Sequence, residues 1–154
     1  MKILIALDSS TFSDRALEFV ARMRWPAGSR VIVLSVLQPV VSTLAGPYET
    51  GVIPVGDLEG LRHELEELVA GAERKLREVG FATEARVLTG DPRETLLDVA
   101  RAERADLIVV GSHGRSGIAK MMLGSVSSHV VTHAPCSVLV VKQPGRAGGA
   151  KEAR

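Results

Sequence analysis

Aromatic residues make up only 3% of this 154-residue chain: one Trp, one Tyr and three Phe. So few rings leave little with which to stack bases, which argues against a single-strand nucleic-acid binder. Cys136 is the single cysteine. That excludes an internal disulfide and any cysteine-based metal cluster, and it fits a reducing, cytoplasmic setting. A formal net charge of +1 supplies no global field for nucleic acid or a membrane surface. No apolar run reaches the roughly 18 residues that a transmembrane helix needs. The opening MKILIALDSS is broken at Asp8, so it is expected to be a first strand rather than a leader. Of the histidines outside residues 111–125, His63 stands apart and only His129 and His133 share a helical spacing, a weak metal pair, so no metalloenzyme is expected. Two phosphate motifs are missing as well. There is no Gly-Lys-Ser/Thr triplet, and no G-x-G-x-x-G.

What is present is alternation. Five β-branched runs, at 2–8, 30–37, 83–90, 106–112 and 137–142, are separated by helical patterns. All but the third are nearly continuously apolar, as strands covered on both faces are. The third alternates more and suits an edge. Phe12, Ala16, Phe19, Val20 and Met23 share one helix face, as do Leu58, Leu61, Leu65, Leu68, Ala72, Leu76 and Val79. Gly80 is placed to stop the second of these helices. In GDPRETLLDVARAERAD, Asp91 can cap, Pro92 suits the first helical position and Glu94 completes a capping box. A fourth helix is expected from about Gly124 to before Pro135, with His133 near its end. Strand and helix alternate throughout, which predicts a single α/β domain with a mostly parallel, doubly wound sheet and helices on both faces. Residues 38–57 carry three prolines and three glycines and exceed an ordinary connection, so a lid or a mobile insertion is expected there. Residues 143–154 read as a disordered tail.

The informative segment is VVGSHGRSGIAKMMLGSVSSHVV, which leaves the fourth apolar run through Gly111, Gly114 and Gly117 and opens a helix at Gly124 and Ser125. A helix N-terminus offers unpaired N–H groups and partial positive charge to an anion, and glycines let a phosphate approach the backbone. Ser125 and Ser127 add hydroxyls. On the residues alone, the glycines either shape a turn or cradle a phosphate. Asp8 likewise either contacts a ligand or closes a turn with Ser9 and Ser10. His113 could serve as a base, but the expectation is that it points to solvent; Lys120 is expected at the surface. No dedicated catalytic constellation is visible. Cys136 is expected to be buried rather than reactive.

The spacing G-x2-G-x9-G-S, at Gly111, Gly114, Gly124 and Ser125, closely resembles the nucleotide-binding signature of the universal stress protein family, in its ATP-binding branch. ALDSSTFSDRAL resembles that family's first strand and turn, and VTHAPCSVLVVK its closing segment. The resemblance covers residues 1 to about 142, with Ser137 where many members have proline. It implies a Rossmann-like five-stranded parallel sheet in the order 3-2-1-4-5, with strands 1 and 4 adjacent at the switch point. It further implies Ala6, Leu7 and Asp8 at the nucleoside end, with Asp8 near the ribose, and Ser35 and Val36 bordering adenine. Val110, Gly111 and Ser112 would pass under the ribose and α-phosphate. Gly114, Arg115, Gly124, Ser125 and Val126 would surround the phosphates. Separately from the resemblance, Asp8 could help hold Mg²⁺ through water, since that ion takes one or two carboxylates along with phosphates. The implied protein is an ATP-binding stress-response switch, homodimeric through residues 137–142, with a further protein partner and no nucleic-acid or membrane partner. The alternatives are a slow ATPase or self-phosphorylating protein, and a partner-binding module without nucleotide. Nothing in the residues selects the number of phosphates.

Overall fold

The computed structural model describes residues 1–39, 41–46, 49–54, 57–114 and 123–143, with 41–46 and 49–54 as backbone alone. In chain order the elements are β1 (Lys2–Ala6), α1 (Thr11–Arg22), β2 (Arg30–Leu37), β3 (Val41–Gly46), β4 (Glu49–Pro54), α2 (Leu58–Glu78), β5 (Ala82–Thr89), α3 (Pro92–Glu103), β6 (Leu107–Gly111), α4 (Ser125–His133) and β7 (Ser137–Val141). Five of the strands form one parallel sheet in the order β5-β2-β1-β6-β7. Counted along the five apolar runs, that is 3-2-1-4-5. β5, the run that alternates, lies at one edge, and β7 lies at the other.

The sheet separates two cores by residue parity. Odd positions of the central strands (Ile3, Ile5, Val31, Val33, Leu107, Val109) pack with Ala16, Leu17 and Val20 of α1 and Val69, Ala72 and Leu76 of α2. Even positions (Leu4, Ile32, Leu34, Ile108, Val110) pack with Leu96, Val99 and Ala100 of α3 and Val130 of α4. The cause is the two-residue repeat of a strand, which sends successive side chains to opposite faces. Continuous apolar runs are therefore what a sheet covered by helices on both faces requires. Val79, read as part of the α2 stripe, is instead the helix C-cap and 52% exposed, and Val69 takes a place in the core. Gly80 follows in a left-handed conformation, φ +97°.

Within the 38–57 connection the chain forms an antiparallel pair, β3 with β4, in register from Val41↔Pro54 to Gly46↔Glu49. No regular element is legible there in the sequence, because the strands are short and hold prolines and glycines. The Arg115 and Lys120 expectations, Gly117, and the tail from residue 144 onward lie outside the described residues.

Three helices begin with a side-chain cap. Ser10 Oγ accepts from Ser13 N at 3.1 Å, Asp57 Oδ1 from Gly60 N at 2.9 Å and Asp91 Oδ1 from Arg93 N at 2.8 Å. Hydrogen bonds from the Arg93 side chain and backbone hold the Asp91 carboxyl down to about 2. Asp91→Ala is expected to lower stability at pH 7 by about 1 kcal/mol. Because the folded pKa is depressed, that contribution is complete above the ordinary carboxylate range (about 4) and is lost as pH falls toward about 2. Urea unfolding of both proteins at pH 7 and pH 2.5 checks this, and the gap between the two curves should narrow at the lower pH.

Candidate functional site at the switch point

Strand order reverses between β1 and β6, and the segments leaving their carboxyl ends part there. In an open α/β sheet that is where a ligand fits. A cleft of about 500 Å³ opens at this point, inside the range of small-molecule sites. It lies on the α3/α4 face. β2 supplies Leu34, Val36 and, just past its end, Gln38, and α3 supplies Pro92 and Leu96, one turn apart. Ala6, Leu7 and Asp8 follow from β1, and Val110 and Gly111 from the end of β6. His113, Gly114, Gly124, Ser125, Val126 and Ser127 close the other side.

Most of the residues singled out in the sequence thus meet in one place, with instructive exceptions. Ser35 does not line the cleft. It is an odd position of β2, 1% exposed, and its Oγ donates to the Leu7 carbonyl at 2.7 Å. Ser112 is also buried and off the lining. Its N–H donates to Val141 O at 2.9 Å, and its carbonyl accepts from Gly124 N at 2.8 Å. Ser127 reaches the cleft, but its hydroxyl donates to the Gly111 carbonyl at 2.7 Å, so that proton is not offered to a ligand. His113 does not point away to solvent. Half-buried on the cleft wall, it tilts 45° against the Phe12 ring at 5.1 Å, with Nδ1 3.2 Å from Ser112 Oγ. Gln38, Pro92 and Leu96 were not anticipated as site residues. Gln38 reads as the start of the insertion and the α3 pair as a cap and a core stripe, and only the topology turns them toward β6.

The glycines serve different ends. A Cβ on Gly111 would lie 2.7 Å from the Phe12 carbonyl carbon and 2.8 Å from Phe12 Cβ. That glycine lets the end of β6 pass against the first turn of α1. A Cβ on Gly114 would lie 2.7 Å from Asp8 Oδ2, and one on Gly124 would lie 3.1 Å from His113 Cα. None of the three is at positive φ, so close approach is the reason for glycine at each of them.

Asp8 closes the turn the sequence suggested and also lines the cleft. Its Oδ1 accepts from Ser10 N at 3.1 Å and from Ser10 Oγ at 2.6 Å, an Asx turn that starts α1. Its Oδ2 lies close against Gly114, where a Cβ would be 2.7 Å away. Helix α4 begins at Gly124 with no side-chain cap and no acidic residue in its first turn. Its leading N–H groups therefore present partial positive charge to the cleft. Further along α4, His129 Nε2 lies 3.0 Å from Glu94 Oε1 of α3, tying together the two helices that frame this side. His133 stacks on His129 at 4.3 Å between centroids. Its Nδ1 is 2.9 Å from the His129 carbonyl, so that nitrogen carries the proton. No group of three or more metal-ligating side chains occurs among the described residues. Cys136 is half-buried beside the even-face core, and burial pushes its thiol pKa up. Among the described residues no helix is long and apolar enough to cross a membrane.

These features define a doubly wound α/β domain with a switch-point cleft whose anion-attracting end is a helix N-terminus. The chain belongs to the universal stress protein family, whose model matches residues 1–142. It is 31% identical over 145 residues to universal stress protein YxiE of Bacillus subtilis, covering 92% of this chain and 98% of that one. Its fold superposes on protein MJ0577 with a TM-score of 0.72 at 26% identity, covering 93% of this chain and 96% of that one. A universal stress protein family protein from Arabidopsis thaliana, solved with AMP bound, superposes with a TM-score of 0.67 at 25% identity, over 94% and 93% of the two chains.

The glycine contacts separate two kinds of damage. Gly111→Ala meets backbone and is expected to lower stability by about 1–3 kcal/mol without any ligand present. Gly114→Ala meets only a carboxylate that can turn aside, and should lower it by about 1 kcal/mol or less. Chemical unfolding of the two variants beside the parent checks the order.

Proposed function

We propose that the cleft binds an adenine nucleotide, in the first instance ATP with Mg²⁺, and that binding makes the protein a switch in a stress response. The observation that carries this reading is the uncapped N-terminus of α4 opening onto a switch-point cleft, while α1, α2 and α3 are each capped by a side chain. Phosphate is the group such an end attracts. Asp8 Oδ2 is a carboxylate oxygen on the cleft lining, beside Gly114. It suits a ribose hydroxyl, or a magnesium ion that takes one or two carboxylates along with phosphates. The apolar wall of Leu34, Val36, Pro92 and Leu96 suits a flat base. The relative solved with AMP supports the adenine reading. Bound nucleotide would act as a switch by preferring one of two states of the protein, changing what a partner protein meets.

Thermal unfolding of nucleotide-stripped protein with Mg²⁺, titrated with ATP, ADP, AMP and GTP, tests this. Ligand at 100 times its dissociation constant adds about 2.7 kcal/mol, or roughly 5–10 °C for a domain of this size. Gly124→Val should remove the rise. A folded parent protein indifferent to every nucleotide overturns the proposal.

We further propose that a cytoplasmic homodimer forms along β7, an edge strand of the sheet. Val141 O accepts from Ser112 N, so odd residues of β7 face β6, and Val138 and Val140 present their N–H and C=O to the open edge. Val140→Pro removes only an outward donor, which an edge strand tolerates. Sedimentation should show the parent as a dimer and this variant as a folded monomer.

A further inference from the structure

We infer that Gln38 reads the 6-position of the purine held in the cleft. The inference rests on the adenine reading above and extends it to a residue that reading leaves without a role. Leu34 and Val36 sit at successive even positions of β2 and Gln38 follows just past its end, and all three line the same wall. The side chains of Leu34 and Val36 can only pack against a base. Gln38 is the polar member of the wall made by β2 and α3, whose other lining residues are Leu34, Val36, Pro92 and Leu96. It is exposed, and no hydrogen bond engages its carboxamide among the described residues. It sits two residues, roughly 7 Å along the strand, beyond Val36.

Direction follows from where the charges lie. Phosphates are drawn to the N-terminus of α4 beside β6, and Asp8 follows β1, between β6 and β2 in the sheet. β2 is two strand spacings, roughly 10 Å, from β6. A nucleotide laid from α4 toward β2 brings its base last, with the edge remote from the glycosidic bond leading. That edge carries the 6-substituent. A carboxamide offers both a donor and an acceptor. Gln38 Oε1 therefore accepts from a 6-amino group, and after a flip of the amide Nε2 donates to a 6-oxo group. A purine with hydrogen at position 6 gives it nothing to bind.

Calorimetric titration of the full chain with AMP, IMP and purine riboside 5′-monophosphate, which lacks the 6-substituent, tests this. One net hydrogen bond corresponds to roughly three- to tenfold in affinity. The parent should prefer AMP and IMP over the unsubstituted analogue by that factor, and Gln38→Leu should abolish the preference by weakening AMP and IMP while leaving the analogue unchanged. Gln38→Glu keeps an acceptor and loses the donor, so it should raise the AMP-to-IMP ratio by a similar factor. Equal loss of all three ligands in Gln38→Leu, or AMP binding unchanged in it, overturns the inference while leaving the adenine reading intact. A folded parent protein that binds neither these three nor ATP overturns both.

Discussion

The end of β6 and the start of α1 touch backbone to backbone, with no room for a single carbon between Gly111 and Phe12. Much of the site depends on that contact. It brings the turn after β1, with Asp8 in it, against the loop that leaves β6. It sets Phe12 under His113. Through Ser127 Oγ on the Gly111 carbonyl it also fixes where α4 begins. The cleft is the space left on one side of the sheet once these segments are pinned on the other.

Parity along the strands then decides what each side chain can do. Ser35 and Val36 are neighbours in sequence and opposites in role, one sealing the odd-face core with a hydrogen bond and the other forming a wall of the cleft. The same rule that makes five apolar runs into a twice-covered sheet sorts site from scaffold within one strand. Resemblance to a family marks a stretch of chain, whereas the pleat marks every second residue in it.

This is also why the sequence was legible unevenly. The runs at 2–8, 30–37, 83–90, 106–112 and 137–142 match strands to within two residues, because burial on both faces leaves a strong local signal. Asp91 and Pro92 announced their helix, because a cap is a local event. Gly111, Gly114 and Gly124 announced a crowded loop without saying what crowded it, since Phe12, Asp8 and His113 are neighbours only in the fold. Pro92, Leu96 and Gln38 gave no sign of facing a cleft. Their place follows from strand order, a long-range property that no window of sequence contains. Ser127 misled for the opposite reason: a hydroxyl in the first turn of a helix reads as a ligand donor until the carbonyl that takes its proton comes into view.

The open N-terminus of α4 has a consequence for anyone who would improve this protein. A capping side chain there is a standard route to a more robust domain, and its absence at Gly124 stands out beside three helices that have one. A stability-guided redesign would place serine or aspartate at that position and an acid in the next turn. At Gly124 itself the added Cβ would lie 3.1 Å from His113 Cα, and an acid in the next turn would reverse the sign of the potential at that end. Among the described helices, the one start without a side-chain cap is the one that opens onto the cleft.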